Sequence, residues 1–185
     1  MSVQELDSEG RPLLERNAKV SAQLLAGATA FFFLAFVFGF VYLRSLNNDN
    51  LWKPKGIDAP VGLGTAFTAL VLLSAVAVYL AARDEPRRAL LLGIGLLLGV
   101  VALVVQVVEW ARLGFGPTGG GYASVFVGWT GFYFLFALIA LLFVEVQFAN
   151  AVRKGGSSDG LASTSFFWSF LAGIGVVTWV VLFLV

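Results

Sequence analysis

Glu109 is the residue whose type and position most strongly indicate chemistry in this sequence. It follows an uncharged run of twenty residues, 89–108, within the string GVVALVVQVVEWARL. A carboxylate near the midplane of a bilayer costs at least about 2.5 kcal/mol, so acidic residues in such runs usually face protein or water and mark functional sites. Gln106 lies three residues earlier on the same helical face, and Trp110 follows directly. The three residues together form the first candidate site.

Two interpretations of Glu109 stay open from the sequence. Arg112 follows three residues later, so Glu109 could be one half of an interfacial ion pair. Alternatively, Glu109 is buried and serves to hold another subunit, a lipid or a proton path. Glu145 is the second acidic residue beside an apolar run, and we expect it to snorkel toward Arg153 or Lys154.

The composition indicates an integral membrane protein. Of the 185 residues, 59% are hydrophobic and 12% are charged. The chain has no Cys, no His and a single Met, Met1. Haem iron is usually held by His, Cys, Met or Tyr, and copper by His and Cys, so we predict no cofactor, metal site or catalytic residue in this chain. A net charge of +1 argues against nucleic acid as a partner.

Five uncharged runs predict five transmembrane helices. Each run has 20 to 24 residues, which is enough to span a bilayer with some tilt. The predicted fold class is therefore an all-α, polytopic membrane helix bundle. Residues 1–19 form a polar N-terminal tail, and residues 20–185 form the five-helix domain. The spans are expected at about 20–43, 61–82, 89–110, 121–148 and 164–185.

The distribution of Lys and Arg predicts the orientation. With a cytoplasmic N-terminus, eight basic residues lie on the cytoplasmic side and four lie outside. The positive-inside rule favours this arrangement, which makes the tail at 1–19 cytoplasmic. The outer basic residues are then Arg44, Lys53, Lys55 and Arg112.

Short motifs along the five spans resemble, in order, those of the cytochrome c oxidase subunit III family. The first two spans supply FVFGFVYLRSL, with Arg44, then NLWKPKGI and GTAFTALVLLSAV. The third span has a similar Gln-x-x-Glu-aromatic signature at Gln106, Glu109 and Trp110. The fourth opens with GYASVFVGWTGF, which contains Thr130, and the fifth opens with FFWSF, which contains Trp168.

This resemblance implies a non-catalytic subunit III of a respiratory haem-copper terminal oxidase. Such a complex reduces oxygen with electrons from cytochrome c or another donor and translocates protons. The implied partners are oxidase subunit I, which carries the catalysis, and subunit II, with haem and copper in those partner subunits. Phospholipid is expected between the helices, and the five-helix form implies a prokaryotic plasma membrane. The residues implied in lipid or subunit contact are Glu109, Gln106, Trp110, Arg44, Thr130 and Trp168.

The sequence also departs from the family pattern, which indicates a divergent member. Three family histidines correspond to Tyr133, Phe136 and Ser169, and a family aspartate corresponds to Ala172. The family's carboxylate in the first span is missing. Roles that depend on these polar groups are in question, whereas scaffold and lipid-binding roles are still expected.

Two other functions stay open from the sequence. One is an accessory subunit of a nitric oxide reductase, in the same superfamily. The other is a small stand-alone membrane transporter or channel, which typically has several inward-facing charges, broken helices or inverted repeats. Only Glu109 and Glu145 are acidic residues in or beside the spans.

Overall fold

The computed structural model describes residues 3–47, 51–153 and 160–185. In these ranges the regular secondary structure is entirely helical, which confirms the predicted all-α fold class. Each of five helices is long and apolar enough to cross a membrane. They are α1 (Val3–Ser45), α2 (Val61–Ala81), α3 (Arg88–Ala111), α4 (Gly121–Val152) and α5 (Leu161–Trp179), and α5 passes into a π-helical turn, Val180–Leu184.

Several helices are longer than the uncharged runs that predict them. Residues 3–19, expected as a tail, are helical and continuous with α1, and α4 continues to Val152. At 43 residues, α1 is about 65 Å long at 1.5 Å per residue, whereas the hydrocarbon core is about 30 Å thick. An uncharged run predicts only the part of a helix that lies inside the hydrocarbon core. The same helix can continue into water, where its residues are polar.

The helices pack with α2 between α3 and α5, and α4 against α3 and α5. The first helix lies outside this group and packs mainly on α4 and α5. Its buried side chains in the membrane-spanning part follow helical periodicity and form one narrow stripe. They are Ala26, Thr29, Phe33 and Phe40. Aromatic rings fill the contact with α4, where the centroids of Phe36 and Trp129 lie 5.7 Å apart.

A glycine-rich segment lets the loop after α1 pack against the start of α4. The backbone N–H of Tyr122 donates to the Trp52 carbonyl at 2.8 Å. Gly120 has a φ of +139°, and a Cβ there would lie 2.8 Å from Pro54 Cδ. A side chain at Gly120 would therefore be strained and crowded. This contact fixes the end of the bundle at which α1 ends and α4 begins.

Gly95 and Gly99 bring α3 into close contact with its neighbours. A Cβ at Gly95 would lie 2.7 Å from Val78 Cγ2 and 3.3 Å from the Ser74 carbonyl oxygen. A Cβ at Gly99 would overlap Leu141 of α4. Small residues spaced in this way allow close helix approach in membranes. The sequence carries this signal as a Gly-x-x-x-Gly spacing at 95–99, which none of the motifs above uses.

We expect Gly95→Ala to destabilise the bundle, because the new methyl group would force α2 and α3 apart. Overpacking of this kind typically costs about 1–3 kcal/mol. The matched control is Gly173→Ala on α5, where a Cβ meets nothing within 4 Å. Thermal unfolding of the detergent-solubilised chain measures both variants. Equal midpoints for the two variants would contradict the proposed close contact.

Candidate functional site

Gln106 and Glu109 form a buried polar pair on α3. Each residue is 1% exposed. The Gln106 side-chain amide, Nε2, donates to Glu109 Oε2 at 2.5 Å. The other carboxylate oxygen, Oε1, has no hydrogen-bond partner among the described residues. Among the described residues, the carboxyl group is thus held in place through one oxygen.

The structure distinguishes the two interpretations of Glu109. Within the described ranges, Arg112 makes no ion pair with Glu109, and its side chain is exposed. The physical reason is that Glu109 faces the interior of the bundle, where it is 1% exposed, whereas Arg112 lies on the exposed surface of the same helix end. The buried interpretation of Glu109 agrees with this geometry. The expected partner Lys154 of Glu145 lies outside the described residues.

Trp110 and Thr130 connect α3 to α4 beside this pair. Trp110 Nε1 donates to Thr130 Oγ1 at 3.0 Å, and the Thr130 hydroxyl donates to the Phe126 carbonyl at 2.8 Å. The Trp110 ring also lies against Phe134, with centroids 5.1 Å apart. Four of the six residues predicted for the site therefore lie on α3 and the facing part of α4. They are Gln106, Glu109, Trp110 and Thr130.

Trp168 lies elsewhere, in a hydrogen-bond chain through three helices. Its indole Nε1 donates to Ser74 Oγ of α2 at 3.0 Å, and Ser74 Oγ donates to the Gly95 carbonyl of α3 at 2.6 Å. Trp168 is 1% exposed and Ser74 is fully buried. A buried indole N–H needs such a partner, because hydrocarbon offers none. A contact of Trp168 with lipid or another subunit stays a prediction.

Arg44 lies near the end of α1, on the wall of a second region. Its exposed side chain lines a cavity of about 440 Å³ together with Trp52, Lys53 and Tyr122. Lys53 Nζ is 2.9 Å from Asp58 Oδ1 and 4.8 Å from the centroid of the Tyr122 ring. Arg44 has no ion-pair partner within the described part of the chain.

Three polar links between α4 and α5 were not singled out by the sequence motifs. Each joins an aromatic side chain of α4 to an oxygen of α5 or of the π-helical turn. A signal was available, because Tyr and Trp within an apolar span each carry a donor that must find a partner. The links are Tyr122 Oη to the Leu182 carbonyl at 2.8 Å, Trp129 Nε1 to Thr178 Oγ1 at 2.8 Å, and Tyr133 Oη to the Leu171 carbonyl at 2.9 Å.

The described residues contain no group of three or more acidic, His or Cys side chains that could hold a metal ion.

Residues 11–185 match the family described as Cytochrome c oxidase subunit III. The chain belongs to this family. The subunit III assignment thus rests on nearly the whole chain, and the sequence-based resemblance is confirmed.

Named relatives in the subunit III family are similar to the chain at low identity. Cytochrome c oxidase subunit 3 of Struthio camelus is 25% identical over 173 residues. The proteins of the same name from Formosania lacustris and Danio rerio are each 27% identical, over 175 and 173 residues. Each of these matches covers 86% of this chain and 66% of the relative. The chain thus spans about two thirds of the length of these subunit III relatives.

Of the four positions at which the sequence departs from the subunit III pattern, Tyr133, Phe136 and Ala172 are packed apolar or aromatic residues, and the fourth, Ser169, is polar and half-buried. Tyr133 is 1% exposed and Ala172 is 2% exposed. A Cβ at Gly175 would lie 2.5 Å from the Tyr133 hydroxyl, so the glycine makes room for this ring against α5. Phe136 lies against Phe33, with ring centroids 5.7 Å apart. At positions 133, 136 and 172 the side chains serve helix packing.

We expect Gln106→Leu to destabilise the chain, because it leaves both oxygens of Glu109 without a partner. The loss of one hydrogen-bond partner at a buried group costs about 1–3 kcal/mol, and somewhat more when that group is charged. The double variant Gln106→Leu/Glu109→Leu should recover most of that loss, because replacing both partners by apolar groups is nearly neutral. Thermal unfolding of the solubilised chain measures both. A double variant less stable than the single variant would show that the carboxyl has a further stabilising partner.

Proposed function

We propose that this chain is the non-catalytic subunit III of a respiratory haem-copper terminal oxidase. In that complex, partner subunits hold haem and copper, reduce oxygen with electrons from cytochrome c or another donor, and translocate protons. The observation that carries the proposal is the subunit III match over residues 11–185 on a chain with five membrane-length helices. In this proposal the chain provides a surface against which the partner subunits pack, and it contributes no catalytic residue.

The proposed role of the chain is to stabilise subunit I and to hold phospholipid, with subunit II as a further partner. Internal hydrogen bonds support this role, because they fix the helices against one another. Trp110 ties α3 to α4, and Trp168 ties α5 to α2. A rigid bundle presents its outer faces to a partner with little loss of conformational freedom. We propose that Arg44, which is exposed and has no ion-pair partner among the described residues, contacts lipid or a partner subunit directly.

Glu109 has a supporting role in this proposal. Its carboxyl group contacts Gln106 and is 1% exposed, so it has no direct access to a partner surface. Tyr133 and Phe136 occupy two of the family's histidine positions, and both are packed among apolar and aromatic groups. We therefore assign Glu109 to the internal structure of the α3–α4 contact.

Purification of the complex tests the assignment. The tagged chain, extracted in mild detergent from the cells that produce it, should co-purify with a subunit that shows a haem absorption spectrum. A parallel purification with an untagged chain controls for adventitious binding. If no haem-bearing subunit is recovered with the tagged chain, the oxidase assignment fails.

Glu109→Gln should leave the haem spectrum of the purified complex unchanged, because no haem contact is assigned to this residue. The substitution removes one carboxylate acceptor from the α3–α4 contact, so retention of this subunit or the rate of inactivation during turnover should change. The absorption spectrum and the activity decay over repeated turnover measure the two effects. A shifted haem spectrum in this variant would contradict a position away from the haem groups.

We also propose that the chain lies in a prokaryotic plasma membrane with its N-terminus in the cytoplasm. The absence of Cys from the sequence makes single-cysteine labelling clean. Asp58 and Glu85 form a matched pair, since each side chain is 81% exposed and each is in an ion pair at opposite ends of α2. In intact cells, a membrane-impermeant maleimide should label Asp58→Cys and not Glu85→Cys. The reverse pattern would invert the proposed orientation.

A further inference from the structure

The outward face of α1 has a regular line of side chains that the rest of the described chain leaves exposed. In the most apolar stretch of α1 22% of the residues are buried, against 33–44% in the other four helices. The six most exposed large apolar side chains in the described part of α1 are 57–77% exposed. All six lie on one repeat of alternating four- and three-residue steps, which we call the outer seam. The seam comprises Leu13, Asn17, Val20, Leu24, Gly27, Phe31, Leu34, Phe38 and Val41.

The spacing of the outer seam is that of a coiled coil. Alternate steps of four and three residues average 3.5 residues, the repeat of a left-handed supercoil. Since an α-helix has 3.6 residues per turn, a line at 3.5 winds slowly around α1, and a second helix follows it by supercoiling. From Leu13 to Val41 the seam is about 42 Å long at 1.5 Å per residue. The seam is therefore long enough for a whole partner helix.

The exposed positions beside the outer seam favour a helix over lipid as its partner. Ser21, Ala28 and Ala35 are exposed on α1 and have small side chains. They flank the large rings of Phe31 and Phe38, so large side chains alternate with hollows that can receive side chains from another helix. Lipid tails are fluid and require only an apolar surface, so contact with lipid does not account for this alternation.

The outer seam also begins outside the apolar segment of α1. The uncharged run of this helix starts after Lys19, whereas Leu13 and Asn17 lie before it, next to Glu15 and Arg16. Leu13 is 61% exposed. Lipid tails do not extend to this level, so a protein surface is needed to cover Leu13.

A second copy of the chain fits the outer seam. Two copies in one membrane have the same orientation, so their α1 helices are parallel, and a twofold axis places each seam residue beside the same residue of the other copy. The amide of Asn17 then meets a second amide, which can both donate to it and accept from it. A single Asn at this type of position specifies the register and the dimeric state of parallel coiled coils. An apolar helix of another protein offers that amide no partner.

The shape of the outer seam agrees with a parallel pair. In such a pair the Phe31 ring enters a hollow formed by the Gly27, Ala30, Phe31 and Leu34 positions of the second copy. Gly27 and Ala30 are small, which leaves room for the ring. A Cβ at Gly27 would meet nothing within 4 Å in the chain itself, so the internal packing of the bundle does not require a glycine there.

The flanks of the outer seam bring no like charges together in a parallel pair. Arg16 of one copy lies beside Ser21 of the other, and Gln23 lies beside Ala28. We infer that two copies of the chain associate in the membrane through the outer seam, with their α1 helices in a parallel, left-handed pair. The inference requires only that the chain lies in a membrane. In the proposed oxidase, this contact joins two complexes.

Disulfide formation between single cysteines tests the contact, because the chain contains no Cys. Leu24→Cys, Phe31→Cys and Phe38→Cys are each made in the full chain, and membranes of the cells that produce it are oxidised with copper phenanthroline. Facing residues in one layer of a parallel pair bring their Cα atoms within the roughly 4.4–6.8 Å that a disulfide requires. All three variants should form covalent dimers, measured by non-reducing gel electrophoresis.

Two control cysteines separate a specific contact from random collision. Leu25→Cys is next to Leu24 at the same depth, is 41% exposed and lies off the seam. Leu97→Cys lies on α3 and is 64% exposed. Both controls should form dimers only at the background level. Dimer yields at these two positions equal to those on the seam would overturn the inference.

Removal of two rings from the outer seam tests whether its packing drives the association. In the Leu24→Cys chain, Phe31→Ala/Phe38→Ala should lower the dimer yield about 10-fold, because interface rings supply much of the packing between helices in membranes. The matched control is Phe143→Ala/Phe166→Ala, which removes two half-exposed rings, 49% and 45% exposed, from α4 and α5. The control should leave the dimer yield unchanged. An equal loss in both double variants would contradict the seam as the contact.

The absence of covalent dimers at all three seam positions would also overturn the inference. A lipid-soluble fluorescent maleimide then identifies what covers the face instead. Labelling of Phe31→Cys as fast as that of Leu97→Cys indicates lipid, whereas protection of Phe31→Cys indicates a helix of a different protein. Neither result bears on the oxidase assignment, which the co-purification of a haem-bearing subunit tests separately.

Discussion

The structure depends on one constraint, which is that polar groups inside a membrane bundle must find partners within the protein. Water is absent from the hydrocarbon core, and each unsatisfied buried group costs several kcal/mol, on the order of 4–8 on a cyclohexane scale. The aromatic donors of α4 and α5 meet this constraint in pairs with Thr, Ser and backbone oxygens, as in Trp129 with Thr178 and Trp168 with Ser74. Because each pair joins different helices, satisfying the donors also fixes how the helices pack.

The same constraint explains why a family member that has lost polar groups can keep the family fold. At positions where subunit III relatives are expected to carry histidine, Tyr133 keeps one donor and bonds to the Leu171 carbonyl, whereas Phe136 needs no partner at all. Glu109 is different, because one of its oxygens bonds to Gln106 and the other has no partner among the described residues. Apolar packing alone therefore does not explain why the Gln106–Glu109 pair is buried.

The sequence predicted the fold class well, because the length of an uncharged run reports directly on membrane thickness. It did not predict that α1 begins at Val3 or that α4 continues to Val152, since helices continue into water where hydropathy carries no signal. The pairing of Gln106 with Glu109 could be predicted, because residues three apart lie on the same face of a helix. The pairing of Trp168 with Ser74 joins residues 94 positions apart, and no local pattern encodes it. The sequence left an ion pair of Glu109 with Arg112 open, because it does not show that Glu109 is buried while Arg112 is exposed.

The position of α1 has a consequence for how the protein is made. This helix leaves the ribosome before the other four, yet the surfaces on which it packs belong mainly to α4 and α5, which follow α2 and α3 in the chain. During synthesis the stripe that contains Phe33 and Phe40 must therefore face lipid or an insertion factor while α2 and α3 associate. Assembly of the bundle is completed only when the chain has folded back on its first helix, so biogenesis has a late closing step that unfinished chains cannot make.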